Sequence, residues 1–192
     1  MTDKVPGNIT DWLQDLRRGD THGLAGIIDQ YGEELMRYLT SILGNPTAAE
    51  DAFQDTWLRV IKKIDTYDPR RNFEPWLFRI ARNRAYDLLR SHRRWWRRPS
   101  VENRPIDRDP DFAESDAFFD SFWRKDLLRS LFAELEPRYR EILWLRYYRD
   151  MSYPEIAAFC RLPLGTVKSR IRRALDQLGS AYCEQEESHE IV

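Results

Sequence analysis

Apolar side chains recur along most of this chain at steps of three and four residues, the spacing that places them on one side of an α-helix. This pattern runs through residues 24–42 and stops at Gly44-Asn45-Pro46, a sequence typical of one helix ending and another beginning. Similar patterns predict helices at about residues 10–18, 46–64, 72–96, 122–134 and 137–149, and two shorter helices that end near residue 182. Glycine is scarce, and no stretch shows sustained alternation of apolar and polar residues. The predicted fold class is all-α.

The helical pattern breaks between residues 99 and 121. This stretch contains three prolines, seven acidic residues and few large apolar side chains. It cannot bury enough apolar area to offset the entropy lost on ordering. We therefore predict two small helical domains, residues 1–98 and 122–183, joined by a flexible acidic linker at 99–121. Residues 184–192 are predicted to form a disordered acidic tail.

The net charge of −1 hides an uneven distribution along the chain. Residues 1–98 carry 17 basic and 14 acidic side chains, and residues 122–183 carry 12 and 7, whereas the linker and tail are strongly acidic. Within the first domain, residues 79–98 contain eight arginines and one acid, Asp87. Two basic domains favour binding to a polyanion, although a run of charge is more often a solvated helix face.

Composition excludes several functional classes. No apolar run is long enough to span a membrane, and the first residues lack the apolar region of a signal peptide. The two cysteines, Cys160 and Cys183, exclude a disulfide scaffold, and no cysteine or histidine cluster has the spacing of a metal site. There is no glycine-rich phosphate loop, and the three histidines are isolated. We expect a cytoplasmic protein with no membrane insertion, cofactor, metal, small-molecule substrate or catalytic activity.

The C-terminal domain contains the pattern of a helix-turn-helix. Ser152 and Glu155 have the spacing of a capping box, with Pro154 tolerated in the first helical turn. Residues 161–163 break this short helix, and a second helix opens at about residues 164–166. Two short helices joined by a tight turn form this unit, although the turn lacks the glycine that often occupies it.

The second helix of this unit is amphipathic. Its apolar side is predicted to contain Val167, Ile171, Ala174, Leu175 and Leu178, and its polar side Thr166, Lys168, Ser169, Arg172 and Arg173. A cationic helix face near the N-terminus suits the major groove of DNA, where arginine can pair with guanine. The alternative is an ordinary surface helix with solvated arginines, and the preceding capped helix favours DNA.

A second candidate site lies around the predicted helix 72–96. One arc of that helix is predicted to present Arg79, Asn83, Tyr86 and Arg90, with Arg93 and Arg97 further along, and Tyr67, Phe73 and Trp76 lie at its start beside a polar loop. Aromatic rings next to a basic track are typical of single-strand binding. The alternative is that the rings are core. The two interpretations are equal for Tyr67 and Phe73, whereas Trp76 can do both.

The helix predicted at 46–64 has a different polar side, formed by Glu50, Asp51, Gln54, Asp55 and Arg59. An acidic face repels DNA and therefore faces either solvent or a protein partner. On the residues alone, solvent is the better interpretation.

Three segments together resemble bacterial RNA polymerase sigma factors of the extracytoplasmic-function (ECF) group. The sequence AEDAFQDTWLRV is similar to the family's core-polymerase-binding helix, FEPWLFRIARNRAYDLLR to its promoter-melting and minus-ten helix, and MSYPEIAAFCRLPLGTVKSRIRRAL to its minus-thirty-five helix-turn-helix. Their order and spacing match the family's two-domain plan.

The resemblance implies binding to core RNA polymerase and to promoter DNA, and regulation by an anti-sigma factor. It implies that polymerase is contacted by Asp51, Gln54, Asp55 and Arg59. It implies that the loop from Asp65 to Asn72 captures a flipped base of the non-template strand. It also implies that the minus-ten element is contacted by Tyr67, Asn72, Phe73, Trp76, Arg79, Asn83, Tyr86 and Arg90. The minus-thirty-five element would be contacted by Thr166, Lys168, Ser169, Arg172 and Arg173. The acidic linker would thread through polymerase channels.

Two alternatives remain open at this point. A helix-turn-helix regulator that works without polymerase would use the same C-terminal motif but leaves the first 98 residues unexplained. A nucleic-acid enzyme would need a metal or nucleophile cluster, which the acids of the 46–64 helix do not supply. The sequence assigns no role to the Arg- and Trp-rich residues 93–98, to Cys160 or to Cys183.

Overall fold

A computed structural model describes residues 7–96 and 126–189 of this chain. Regular structure in these residues is entirely helical, which confirms the predicted all-α class. In the first unit the helices are α1 (Ile9–Arg17), α2 (Thr21–Leu43), α3 (Pro46–Lys63) and α4 (Phe73–Trp96), with a 3-10 turn at Ile64–Thr66. In the second they are α5 (Asp126–Glu134), α6 (Pro137–Leu143), α7 (Tyr153–Cys160) and α8 (Leu164–His189), with a π-helical turn at Trp144–Tyr148.

Helix ends in the first unit lie where the sequence places them, because short polar side chains cap them. Asn8 caps α1 and Asp20 caps α2, each side chain accepting hydrogen bonds from amides of the first turn. Gly44 ends α2 in the left-handed conformation, at a φ of 66°. Asn45 then caps α3, whose first residue is Pro46. This junction explains how two long helices follow one another with almost no loop.

Helices α1 and α2 pack closely because two glycines of α2 lie against α1, Gly26 against the ring of Trp12 and Gly23 against the α1 backbone. A Cβ added to Gly26 would lie 2.4 Å from Trp12 Cε2, and one added to Gly23 would lie 2.2 Å from the Trp12 carbonyl oxygen. Glycine is therefore required at both positions. The remaining core of this unit is apolar, and its largest fully buried side chains come from α2, α3 and α4: Tyr38, Ile27, Leu35, Leu39, Ile42, Val60 and Leu77.

The second unit has its own core, with Phe132, Leu135, Tyr139, Leu143 and Ala174 buried together and Leu178 packed against them. Two features differ from the sequence-based prediction. The helix predicted at 137–149 is α-helical only to Leu143 and continues as the π-helical turn. Helix α8 extends to His189, which means that residues 184–189 of the predicted disordered tail are helical.

The boundary between the two units falls between residues 108 and 109. The predicted linker at 99–121, the start of the helix predicted at 122–134 and the last three residues of the predicted tail lie outside the described residues. The domain limits and their roles therefore stay a prediction. Within the described residues, no helix is long and apolar enough to cross a membrane.

Candidate nucleic-acid interface

An open cleft of about 460 Å³ lies where the 3-10 turn leads into α4. Its lining residues are Thr66, Tyr67, Asp68, Arg71, Asn72, Pro75, Trp76 and Arg79. We call it the base cleft, and we call residues 67–72 the cleft loop. The lining combines a carboxylate, an amide, two guanidinium groups and aromatic rings, and this set can stack on a nucleobase and hydrogen-bond to its edge.

Local hydrogen bonds give the cleft loop its shape. The Asp68 carboxylate accepts from the Arg70 amide at 3.0 Å, and the Asp68 carbonyl oxygen accepts from the Arg71 amide at 3.0 Å. The Asn72 side chain accepts from the amide of Glu74 at 3.2 Å, as expected of a residue that precedes a helix. The Tyr67 hydroxyl donates to the Arg71 carbonyl oxygen and closes the loop on itself.

Four aromatic rings form a cluster beneath the cleft loop. Tyr67 lies 5.5 Å from Phe73 and 5.1 Å from Trp76 between ring centroids, and Tyr31 lies 5.8 Å from Phe73. Tyr67 and Phe73 are only 5% and 3% exposed. Their burial favours the core interpretation of these two rings over exposed stacking platforms. Trp76 is half-buried, and its ring packs against Tyr67 and Phe73 and also lines the cleft.

The buried hydroxyl of Tyr67 has an altered acidity. Burial raises its pKa, the nearby Asp68 carboxylate raises it further, and Arg17 opposes both effects. The pKa of Tyr31 is also raised, mainly by burial. Both groups therefore stay neutral hydrogen-bonding groups at ordinary pH.

The predicted basic track on α4 extends from the base cleft along the helix. Arg79 is half-buried and lines the cleft, Asn83 is exposed, and Tyr86 is half-buried with the Arg82 guanidinium 4.8 Å from its ring centroid. Arg90 is exposed and forms an ion pair with Asp87. The side chains of Arg93 and Arg97 lie outside the described residues.

The predicted polymerase-binding residues of α3 do not all share one surface. Asp51 and Gln54 are exposed. Asp55, in contrast, forms an ion pair with Arg84 of α4 at 2.5 Å, and Arg59 Nη1 lies 3.8 Å from Asp87 Oδ2. These two residues help to join α3 to α4, and they are less available to a partner than the sequence suggests.

The exposed side of α3 also includes two apolar residues that were not predicted to belong to a site. Leu58 is 53% exposed and Ile61 is 41% exposed. They follow Asp51 and Gln54 at steps of three and four residues, which places all four on one side of the helix. We call this set the outer face of α3. Exposed apolar residues beside polar ones are typical of a protein-binding surface.

The helix-turn-helix is formed by α7 and α8. The Ser152 hydroxyl and amide donate to the Glu155 carboxylate at 2.6 and 2.8 Å, and the Glu155 amide donates to the Ser152 oxygen at 3.4 Å. The predicted capping box is therefore present. The hydrogen bond donated by the Ser152 hydroxyl, and after it the one donated by the Ser152 amide, lower the pKa of the Glu155 carboxyl.

The turn between α7 and α8 contains a residue with positive φ. Arg161 has φ 55° and ψ 50°, the left-handed conformation that glycine adopts most easily. Its amide still bonds to the Ala157 carbonyl oxygen. The glycine missing from the sequence is thus replaced by a non-glycine residue in the same conformation, at a cost in strain.

The amphipathic pattern of α8 is largely as predicted. Val167, Ile171 and Ala174 are buried, whereas Leu175 is 43% exposed and was wrongly assigned to the apolar side. The predicted DNA-facing residues Lys168, Ser169, Arg172 and Arg173 are exposed, and Thr166 is half-buried. Arg172 lies 3.8 Å from Asp176, and the Ser169 hydroxyl donates to the Thr166 carbonyl oxygen at 3.0 Å. A band of cationic and hydroxyl groups therefore faces solvent at the start of α8.

The π-helical turn fixes where α7 begins. Arg146 Nη1 donates to Asp150 Oδ1 at 3.1 Å and to the Met151 carbonyl oxygen at 3.2 Å. The Asp150 backbone has a φ of 47°, and the Met151 amide bonds to the Leu145 carbonyl oxygen at 3.1 Å. The chain therefore reverses sharply just before the capping residue of α7, which positions the helix-turn-helix on α6.

Comparison with known families defines the class of this protein. Residues 27–95 match the model of Sigma-70 region 2, and residues 125–178 match that of Sigma-70 region 4. The first range contains the base cleft and α3, and the second contains the helix-turn-helix. The chain thus carries the two conserved regions of a sigma-70-type factor in their usual order.

Similarity to individual proteins identifies the family to which the chain belongs within this class. The chain is 32% identical over 185 residues to the ECF RNA polymerase sigma factor RpoE of Cereibacter sphaeroides, covering 93% of this chain and 97% of the relative. It is 29% identical over 180 residues to the ECF RNA polymerase sigma factor SigW of Bacillus subtilis, covering 86% and 92%. The chain belongs to the ECF family of RNA polymerase sigma factors.

Solved structures agree with this assignment. The sigma factor RpoE of Bartonella quintana, in complex with the anti-sigma factor NepR, matches with a TM-score of 0.62 and 25% identity over 83% of this chain and 96% of its own. CnrH, in complex with the cytosolic domain of CnrY, matches with a TM-score of 0.61 and 26% identity over 91% and 96%.

Proposed function

We propose that this ECF sigma factor binds core RNA polymerase through the outer face of α3, opens promoters with the base cleft, and reads a second promoter element with α8. One observation carries the proposal: a concave site with aromatic and basic lining and a convex basic helix lie on two separate units of one chain. A protein that both separates DNA strands and reads duplex DNA needs both.

The polymerase contact is proposed for Asp51, Gln54, Leu58 and Ile61. Carboxylate and amide groups at one end of the face provide specificity, and the two exposed apolar side chains provide area to bury. Asp55 and Arg59 are expected to act mainly by joining α3 to α4, because both already have ionic partners there. DNA is not expected on this face, since an exposed carboxylate repels phosphate.

The base cleft is proposed to receive one unpaired base of the non-template strand at the minus-ten element. Trp76 offers a ring edge and face, Asn72 and Asp68 offer hydrogen-bonding groups, and Arg71 and Arg79 offer positive charge for the adjoining phosphates. Asn83, Tyr86 and Arg90 continue this surface along α4. Tyr67 and Phe73 support the cleft from beneath, since their rings are buried.

The start of α8 is proposed to enter the major groove of the minus-thirty-five element. Arg172 and Arg173 are exposed and long enough to reach base edges, whereas Lys168, Ser169 and Thr166 suit phosphate contacts near the helix start. The weak ion pair between Arg172 and Asp176, at 3.8 Å on the surface, would be exchanged for a DNA contact at little cost.

We further propose that an anti-sigma factor binds this protein and holds it inactive, on the model of the sigma factor RpoE of Bartonella quintana, which was solved in complex with the anti-sigma factor NepR. The linker at 99–121 is proposed to enter polymerase channels, where its acidic residues would occupy positions otherwise taken by nucleic acid. Because its partner is core polymerase, the protein is proposed to work in the cytoplasm and to catalyse no reaction itself.

Reconstituted transcription tests this proposal. Core polymerase should retain the chain in a pull-down, and the mixture should produce discrete run-off transcripts from a subset of genomic fragments that core polymerase alone does not transcribe. A protein that binds no core polymerase yet binds specific duplex DNA would instead be a polymerase-independent helix-turn-helix regulator, and the proposal would fail.

A further inference from the structure

One hydrogen bond joins α1 to the cleft loop across 50 positions of sequence. Arg17, in the last turn of α1, donates from Nη2 to the Tyr67 carbonyl oxygen at 2.6 Å. Hydrogen bonds from a charged donor are shorter and stronger than neutral ones. The end of one helix therefore fixes the first residue of a loop that belongs to a different part of the chain.

Tyr67 transmits that restraint to the rest of the cleft loop. Its backbone is held by Arg17, its ring lies against Phe73 and Trp76, and its hydroxyl donates to the carbonyl oxygen of Arg71 at the far end of the loop. Because the same residue touches both ends of the loop, the position of Tyr67 sets the conformation of the segment between them.

The cleft loop is a wall shared by two clefts. Tyr67, Arg71 and Asn72 line the base cleft and also a second cleft of about 270 Å³, whose other walls come from α1 and α2 and include Arg17. A movement of the loop toward α1 would enlarge one cleft and reduce the other. Arg17 holds the loop at a fixed distance from α1.

We infer that Arg17 is a positioning residue for promoter opening, which holds the cleft loop in the conformation that receives an unpaired base. The inference rests on the proposed role of the base cleft. Arg17 lies outside residues 27–95, which match the region 2 model, and its role is therefore deduced from its geometry alone.

The test uses holoenzyme assembled from core polymerase and the full chain, with Arg17→Ala compared with Arg18→Ala. Arg18 is the next residue, and its side chain is 73% exposed and lies 3.8 Å from Asp15, which makes it a matched control. Run-off transcription is measured on a duplex promoter and on the same promoter with a mismatched, already unpaired minus-ten element. Core affinity and thermal unfolding of each variant are measured in parallel.

We expect Arg17→Ala to lower transcription from the duplex about tenfold, the effect of losing one charged hydrogen bond. On the unpaired template the loss should be within about twofold, since strand separation no longer depends on capture of the base, and core affinity should not change. Arg17→Lys should recover part of the duplex activity, because it keeps the charge and a donor. Arg18→Ala should match the wild type on both templates.

Three results would overturn the inference: equal activity of the two alanine variants, an equal loss on both templates, or a loss that accompanies weaker core binding. If Arg17→Ala does not fold, Arg17→Gln replaces it in the test. The glutamine side chain is polar but too short to reach Tyr67, and this variant should show the same selective loss of transcription from the duplex promoter. Failure of the wild type to initiate on either template would contradict the proposed function itself, and the inference with it.

Discussion

The two units of this protein position the groups that we propose to contact DNA in opposite ways. In the first, the groups line a concave cleft and rest on a buried aromatic cluster, and the loop that carries them is tied to α1 by a hydrogen bond distant in sequence. In the second, they lie on the open surface of α8, and the helix is positioned by local features, the capping box and the turn at Arg161.

This difference fits the two forms of DNA that the units are proposed to bind, an unpaired strand and a duplex. An unpaired base must be surrounded, which requires a cavity whose walls are held by the tertiary structure. A base pair in a duplex is read from its groove, which requires a helix that projects outward. We therefore expect substitutions around the base cleft to weaken DNA binding by disturbing the fold that shapes the cleft. Substitutions on α8 should weaken DNA binding by removing a direct contact.

The largest effect is expected on the affinity for core polymerase, from a substitution on the outer face of α3. Asp51→Lys should weaken core polymerase binding by about 3 kcal/mol, or about a hundredfold, because it places a cation where a carboxylate is proposed to pair with polymerase. Binding of labelled variants to core polymerase measures this. Asp29→Lys, which reverses an exposed carboxylate on α2, is the control and should bind normally.

Asp55→Lys would be a poor substitute for that variant. Asp55 forms an ion pair with Arg84, and a lysine there would place two cations side by side between α3 and α4. Any loss of core binding would then mix a lost contact with a weakened helix interface. If Asp51→Lys bound core polymerase as well as the wild type, the role assigned to the outer face of α3 would be wrong.

The second largest effect is expected from the double variant Arg172→Ala and Arg173→Ala. Promoter-dependent transcription should fall by about tenfold to a hundredfold, the cost of about 2 kcal/mol for lost base and phosphate contacts, while core binding stays unchanged. Arg138→Ala, at an exposed arginine of the same unit paired with Glu136, should have no effect. A parallel loss of core binding would contradict the division of roles between the units.

A smaller effect is expected at the capping box. Ser152→Ala should destabilise the second unit by about 1 kcal/mol, because the Glu155 amide loses its partner. The pKa of Glu155 should rise toward 4.5, its ordinary value, in a titration followed by NMR. Since the folded pKa of Glu155 is lowered, the stabilisation from the hydrogen bonds that its carboxylate accepts is present above pH 4.5 and is lost as the pH falls through the lowered pKa. An unchanged pKa in the variant would rule out this explanation.

The smallest effect is expected on the stability of the second unit, from a substitution in the turn between α7 and α8. Arg161→Gly should stabilise the second unit by about 0.5 kcal/mol, because glycine adopts the left-handed conformation without strain and this gain exceeds its entropy cost. Thermal unfolding measures the change. A clear loss of stability would mean that the Arg161 side chain contributes more than its backbone conformation costs.

The sequence was sufficient to predict the helices because their ends depend on local residues, such as Asn45 with Pro46 and Ser152 with Glu155. Tertiary contacts determined the rest. Burial of Tyr67 depends on rings brought from α4 and α2 and could not be read from its own segment. The exposure of Leu58 and Ile61 was also hidden, since an apolar residue at helical spacing suggests core.

Charged and irregular features were the least predictable. The pairing of Asp55 with Arg84 requires knowledge of how α3 and α4 cross. At the π-helical turn Trp144–Tyr148, Arg146 reaches past the turn and donates to the Met151 carbonyl oxygen. The spacing of apolar residues does not predict this turn. Leu175 follows the apolar spacing of α8, yet its side chain is 43% exposed.

The proposed function requires the helix-turn-helix to act together with polymerase and not alone. Fluorescence anisotropy of a labelled promoter duplex, titrated with the chain in the presence and absence of core polymerase, tests it most directly. We expect specific, tight binding to the duplex only when core polymerase is present, with the chain alone binding weakly and without sequence preference. Equally tight and specific binding by the chain alone would contradict it and would identify a classical DNA-binding regulator instead.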